Sequence, residues 1–437
     1  MKINKIDEIS EVQDKIITNG QNNNGRLIAK ARSSALEAIK RAGFPTAKDE
    51  EWRFTNIKPL YDQDYEIAAN STAANISFDK DLVSLDVPGI VFVNGIYRDD
   101  LSDINDDIKD KLIIGNIEDI LSEQGEKLSD KLADVPKAAF AALNAALFNS
   151  GLAIIVKDGV NVKTPVHIIY YTINNSGRAV IDTPRNIVVL GKNSRLQLVE
   201  SYFSSGDSFS FTNILNQFWV EDGAKLDYYK IQRSSGSGHH IHNQYITQGK
   251  ESRTAVYSID FGGKLTRNTL NVEMNGSDVK TLANGIYFAK NDELVDNHVF
   301  IDHAKENGVS SELYRGILAD KARGVFRGKI MVRPNAQKTD ADQNNNCLLL
   351  SDTARINTMP QLEIYADDVK CTHGATVGEL DDESVFYLRS RGIGEEQAKN
   401  ILIKAFIAEV IEKVENDEIK SYIEELVDEY LSGIIEI

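Results

Sequence analysis

Two changes in the rhythm of hydrophobic and polar positions divide the chain into three zones. Up to about residue 150 the pattern is mixed. Leu27, Ile28, Ala31, Ala35, Ala38 and Ile39 recur at helical spacing between Arg26 and Lys40, predicting a helix that Gly43 ends and Pro45 keeps from resuming. The Ala-rich stretch from Lys137 to Phe148, closed by Asn149-Ser150-Gly151, predicts another. Between them, the run from Ile90 to Tyr97 reads as two strand pieces about an Asn94-Gly95 turn.

From Gly151 to about residue 380 the chain is strand-like almost throughout. Ile187-Val188-Val189-Leu190 and the run from Arg195 to Glu200 are short and rich in β-branched or large apolar residues. Turn signals separate such runs at Gly191–Ser194, Glu221–Gly223, Gln248–Lys250, Asn275–Asp278 and Lys290–Asp292. No helical period interrupts them, which excludes a doubly wound α/β sheet and leaves a sandwich, barrel, propeller or β-solenoid. The turns recur at intervals of roughly 25–30 residues, about one multi-strand coil. A solenoid can lengthen without a larger core, so the pattern favours that architecture.

From Asp381 the period is helical again. Ile419, Tyr422, Ile423, Leu426, Val427 and Tyr430 form one amphipathic stripe. The segment before it carries Leu402, Ile403, Phe406, Ile407, Val410, Ile411 and Val414 over a wider arc. Such a helix must be covered on more than one side, by its own neighbours or by a partner protein.

Composition narrows the function. Of 437 residues, 42% are hydrophobic and 26% charged, which is ordinary globular usage. Lys plus Arg number 49 against 66 Asp plus Glu, a net charge of −17 that disfavours nucleic acid or anionic membrane as a broad partner. No apolar run approaches the ~20 residues of a membrane span. The opening Met1–Glu8 is charged and carries no apolar export core, and only Cys347 and Cys371 are present. The expectation is a reducing cytoplasm and no disulfide framework.

No phosphate loop is found; Gly324–Ile330 has the wrong spacing and lacks the hydroxyl, so the chain is not expected to hydrolyse nucleotide. His239-His240-x-His242, beside Ser234-Ser235-Gly236-Ser237-Gly238, reads as an exposed flexible loop rather than a metal site. His298 and His303 are five apart, so one should be buried and hydrogen-bonded and the other at a surface. Cys371 and His373 are two apart in a strand-like segment and should share a face. Thiolate beside imidazole suits iron, zinc or copper(I), but two ligands are half a site; the rest must come from another chain or a transient cargo. A different class remains open. Asp340 and Asp342, with Arg333 and Lys338 nearby, could serve a β-helical polysaccharide lyase or hydrolase, although the missing export core and the helical tail speak against it.

Several contiguous motifs carry a resemblance. The segments Ala366–Gly378, Phe386–Ile393, Phe326–Lys329, Asn335–Thr339 and Cys347–Ser351 resemble the SufB/SufD family of iron–sulfur cluster assembly scaffolds. Gly43–Thr55 is similar to a segment typical of its SufD branch. SufB-type members carry a reactive cysteine where this chain has Ala354, before Pro360-Gln361-Leu362-Glu363-Ile364, and His-Glu where it has His373-Gly374. Both departures place the resemblance on the SufD side.

That resemblance implies a mainly β fold: a right-handed parallel β-helix over residues 151–380, an N-terminal, mainly helical portion over 1–150, and a C-terminal α-helical domain over 381–437. It implies a non-catalytic subunit that pairs with SufB and docks one SufC ATPase, with Phe386, Tyr387, Arg391, Gly392, Ile403, Phe406 and Ile407 as docking residues. His373, and with it Cys371, would face SufB and touch a transient Fe–S cluster, with no tightly bound cofactor in the chain alone. ATP binding in SufC would shear that interface open. An exposed SufB-facing edge would also make a homodimer plausible.

Overall fold

The computed structural model describes residues 1–17, 23–68, 85, 87, 89–104, 106–148, 151–234 and 237–432. Asn149-Ser150 and Ser235-Gly236, parts of two expected loops, lie outside the described residues. Helices α1 (Ile6–Ile17), α2 (Asn23–Ala42), α3 (Lys58–Asp62), α4 (Asp106–Lys111), α5 (Ile117–Ala133) and α6 (Ala139–Leu147) interleave with β1 (Tyr65–Ile67), β2 (Gly89–Val93), β3 (Ile96–Tyr97) and β4 (Leu112–Asn116). Strands then follow one another: β5 (Leu152–Val156), β6 (Val166–Ile173), β7 (Ala179–Asp182), β8 (Arg185–Leu190), β9 (Arg195–Ser205), β10 (Ser210–Val220), β11 (Lys225–Ser234), β12 (Gly238–Gln248) and β13 (Arg253–Phe261). The series continues through β14 (Leu265–Met274), β15 (Lys280–Ala289), β16 (Leu294–His303), β17 (Val309–Leu318), β18 (Arg323–Val332), β19 (Thr339–Leu349), β20 (Arg355–Ile364) and β21 (Val369–Gly378). Helices α7 (Asp382–Ser390), α8 (Glu395–Ile411) and α9 (Asp417–Ser432) end it.

From β8 onward successive strands alternate between two parallel sheets, the even-numbered in one and the odd-numbered in the other. Phe211, His239, Leu265, Leu294, Arg323 and Arg355 stand in register, so each coil returns after 26 to 32 residues. This is a β-solenoid of about seven turns. Its pitch is held at one corner by stacked turns in which a left-handed residue donates to the next coil. Asn193 N–H bonds Asp222 O, Glu251 bonds Ser277, Asp278 bonds Glu306 and Asn307 bonds Gln337, all with φ between 55° and 60°. Asn and Asp tolerate that conformation at low cost, which is why the expected turn motifs fall at these corners.

The N-terminal zone adds more strand than its helical pattern suggested. β2 continues the second sheet in parallel beside β6, and β4 closes the first antiparallel to β5. Asn94 and Gly95, both with positive φ, form the β2–β3 hairpin turn. Ile108 and Leu112 plug this end of the interior. Phe140, Leu143 and Leu147 of α6 and Ala35, Leu36 and Ile39 of α2 pack on Phe211, Leu215 and Ile241 outside the first sheet. Helices α8 and α9 cover the second sheet, where Ile403, Ile407, Ile423 and Leu426 meet Tyr257, Ile259, Ile286 and Phe288. Among the described residues the opposite, C-terminal end has no such plug: β20 and β21 are the outermost strands. Among the described residues no helix is long and apolar enough to cross a membrane.

One loop expectation fails. His239, His240 and His242 lie in β12 and are buried, His240 and His242 inside the solenoid against Tyr202. The Ser/Gly run before them is a turn into a strand, and the imidazoles fill a polar interior. The pair in β16 divides as its parity requires: His303 is buried and bonded to Ser310 Oγ at 2.8 Å, while His298 stays partly accessible beside Asp296.

Candidate functional site: the open terminal coil

β21 is the last strand of the second sheet, so among the described residues one of its edges has no strand partner. Cys371 stands in register with Ala341 and His373 with Gln343. Alternation on β19 puts Ala341, Gln343, Asn345 and Cys347 on the buried side and Asp340 and Asp342 on the exposed side. Cys371 and His373 therefore extend the inward-facing row past the last covered coil. Cys371 is half-buried against Ala341 and Leu362, and burial followed by the Asp340 carboxylate pushes its thiol up. A raised thiol pKa keeps the proton on sulfur. His373 is exposed. Among the described residues no group of three His, Cys, Asp or Glu could hold a metal ion.

Directly behind His373 the row turns polar and dry. Gln343 Nε2 donates to Glu312 Oε2 at 2.7 Å, with both side chains buried. Gly328 across the interior makes room: a Cβ there would lie 1.9 Å from Gln343 Nε2. Burial pushes the Glu312 carboxyl up to about 8, so it is largely protonated near neutrality. Deeper in, Lys230 pairs with Asp260, and Glu200 accepts from Tyr228 Oη at 2.8 Å.

The link from β21 to α7 is only residues 379–381. Asp381 caps α7 by accepting from Ser384 N at 2.9 Å. The helix presents Phe386 at 72% and Tyr387 at 57% exposure. Arg391 lies over the Tyr387 ring and donates to its hydroxyl at 3.1 Å, and Gly392, with φ +89°, turns the chain toward α8. The other expected docking residues divide. Phe406 is partly buried under Arg315, whereas Ile403 and Ile407 are fully buried in the core shared with the second sheet. Those two are corrected to core: the wide apolar arc of α8 is covered by the chain's own strands and α9.

Residues 171–406 match the SufBD core domain of SUF-system FeS cluster assembly, and residues 9–168 match the SufBD N-terminal region. The chain belongs to the SufBD family. Among SufBD relatives, the chain is 29% identical over 419 residues to a SufBD family protein of Synechocystis, covering 93% of this chain and 91% of that one. It is 30% identical over 399 residues to the iron–sulfur cluster assembly protein SufD of Escherichia coli, covering 91% and 92%. To SufD of Bacillus subtilis it is 29% identical over 303 residues, 67% of each chain. SufBD proteins act in iron–sulfur cluster assembly, and so does this one.

Two SufBD motifs far apart in sequence meet on the solenoid. Trp52 stacks on the Arg267 guanidinium, 3.7 Å from ring centroid to Cζ, and Arg267 also donates to Glu51 O. Thr55 bonds Asp296, and Arg327 bonds Glu50 at 2.5 Å. The Gly43–Thr55 segment is thereby strapped across the first sheet, over a cleft of about 760 Å³. Ala354 is buried at the turn into β20 and offers no thiol.

The pair Glu312 and Gln343 was not singled out from sequence, although the buried Cys347 two and four positions on from Asn345 and Gln343 fixes the parity that turns both inward. Asp340 and Asp342 do share an exposed face. Asp342, however, accepts from Thr372 Oγ1 at 2.7 Å, and Arg333 is committed to Asp302 at 2.8 Å.

Proposed function

We propose that this chain is a non-catalytic scaffold subunit that pairs with a SufB-type protein through its open terminal coil, docks a SufC-type ATPase on α7, and lends His373 to a nascent Fe–S cluster. One observation carries the reading: an exposed imidazole stands on an unpaired edge strand, two positions from a half-buried thiol and with no third donor beside it among the described residues. The partner supplies the missing thiolate and carboxylate, and Cys371 joins as a ligand once iron displaces its proton. The cluster is cargo, formed between the chains and passed to carrier proteins in the cytoplasm.

The short link between α7 and β21 supports the coupling. A displacement of Phe386 and Tyr387 by a dimerising ATPase pulls on the strand that bears His373. Moving a two-state interface from roughly 1:99 to 99:1 needs a differential of about 5.5 kcal/mol, within reach of nucleotide binding. Without a partner, the same edge can pair with a second copy of the chain.

His373→Ala tests the reading. Cluster maturation in cells lacking the native chain should be lost, while co-purification of the SufB- and SufC-type partners is retained. Unchanged maturation removes the role of His373, and loss of co-purification moves the residue from chemistry to assembly.

A further inference from the structure

We propose that a pocket holding Arg53, Arg323 and Arg355, at the last coils of the first sheet, binds the phosphate group of a small ligand. His373 and Cys371 lie on the other sheet, and the proposal goes beyond the assembly role without depending on it.

The pocket encloses about 460 Å³ between the end of the N-terminal strap and the starts of β18 and β20, room enough for a small molecule. Arg323 and Arg355 stand in direct register on these neighbouring strands and are both exposed. They continue the outward-facing row of Phe211, Leu265 and Leu294, which packs under the N-terminal elements. Registered residues on adjacent strands are about 4.8 Å apart, so the two cationic side chains rise side by side. The strap brings Arg53 to the same pocket. Among the described residues none of the three forms an ion pair, and no Asp or Glu lines the pocket. Carboxylates of the same region are committed elsewhere: Glu50 to Arg327, Asp296 to Arg267 and Asp292 to Lys264. In a chain of net charge −17, three gathered cations without a counter-ion need a reason. Like charges facing each other across neighbouring strands repel, and a bound anion removes that cost.

Local bonds prepare the site. Arg355 Nη1 donates to Asp352 O at 2.6 Å and to Ala354 O at 2.8 Å, which holds the guanidinium plane and leaves Nη2 for a ligand. Asn56 Oδ1 accepts from Lys58 N at 3.1 Å, so the NH₂ end of its amide is the one left to donate. Arg53 lies over the exposed Phe54 ring, 5.5 Å from its centroid. The charged lining is therefore wholly cationic. A phosphate group, with nearly two charges and three terminal oxygens, engages several guanidinium forks at once, whereas a lone carboxylate satisfies one. Phe54 adds a flat apolar surface for an organic group that the phosphate carries.

Calorimetric titration of the full chain with pyrophosphate, inorganic phosphate, phenyl phosphate and acetate, at fixed ionic strength in chloride, tests the proposal. The phosphates should bind at one site per chain, and acetate ~10-fold more weakly or worse. Arg323→Gln and Arg355→Gln should each weaken phosphate binding ~10-fold or more. Lys225→Gln, which removes an equal charge from an exposed position of the second sheet, should not. Phenyl phosphate binding tighter than inorganic phosphate, with the advantage lost in Phe54→Ser, identifies an ester as the ligand; equal affinities identify free phosphate. Thermal melts separate ligation from a structural role. In chloride both arginine variants should melt no lower than wild type, and the rise in melting temperature that pyrophosphate gives the wild-type chain should vanish in them. The inference is overturned by no saturable phosphate binding at millimolar concentration, by an equal loss in Lys225→Gln, or by arginine variants that melt lower in chloride.

Discussion

Asp260→Asn isolates the electrostatics of the solenoid interior. Lys230 and Asp260 are both buried, on adjacent strands of the second sheet, and pair directly. Lys230 Nζ also donates to Asn268 Oδ1 at 2.9 Å, and Asp260 accepts from Asn268 Nδ2 at 2.9 Å and Ser258 Oγ at 3.1 Å. The substitution keeps shape and most hydrogen bonds but strands the ammonium among apolar and neutral groups. Breaking a buried pair in this way costs about 3–5 kcal/mol, or roughly 1 M or more in urea midpoint for an m of about 3 kcal/mol/M. The pH dependence gives a second handle. Burial already lowers the Lys230 pKa, and the Asp260 carboxylate opposes that shift. Without Asp260 the folded-state pKa falls further below the ordinary lysine value. Between the two values the unfolded chain binds a proton that the folded chain does not, so the stability of the variant rises with pH, by about 1.4 kcal/mol per unit. Lys230→Met combined with Asp260→Asn removes the stranded charge and should recover most of the loss. Urea unfolding at pH 7 and 10, followed by circular dichroism and by Trp52 and Trp219 fluorescence, measures all three. An Asp260→Asn protein within about 1 kcal/mol of wild type at pH 7, or no more stable at pH 10, refutes the reasoning.

Glu312, held at about 8 by burial, keeps a proton in the folded chain that the unfolded chain loses above its ordinary carboxyl range, so its contribution to stability falls as pH rises from about 5 to 8. Glu312→Gln should flatten that part of the melting-temperature profile, and parallel wild-type and variant profiles would exclude it. Ile407→Ala should cost about 2–5 kcal/mol in chemical unfolding because the residue is core. Phe386→Ser should change stability by less than about 0.5 kcal/mol and yet abolish capture of a SufC-type ATPase; the reverse pattern would exchange their roles. Gly285→Ala sets a Cβ 2.2 Å from the Tyr314 ring, which Phe326 blocks from behind at 5.0 Å between centroids, and should cost about 1–3 kcal/mol by urea midpoint.

The solenoid was legible because its corners need left-handed residues, and Asn193, Gly223 and Asp278 mark one corner in turn motifs 30 and 55 residues apart, about one and two coils. The shared face of Cys371 and His373 followed from strand parity alone. What parity does not tell is which side of a strand is inside. A solenoid interior admits polar side chains wherever they bond one another from coil to coil, so Glu200, Lys230, Asp260 and Glu312 look like surface residues in sequence. His240 and His242 were misplaced for the same reason. The α8 error differs in kind. An apolar arc says that a helix is covered, and only the fold says that β15 and β17 cover Ile403 and Ile407.

The two ends of the solenoid are unequal. One is sealed by the antiparallel β3 and β4 and by Ile108, and the other exposes β20 and β21. A rod sticky at both tips would string itself into fibres, but a rod sticky at a single tip exhausts its valence in one encounter. If the open tip pairs as proposed, growth would halt at a couple, whether the mate is a relative or a twin, and chain made in surplus would give twins rather than filaments.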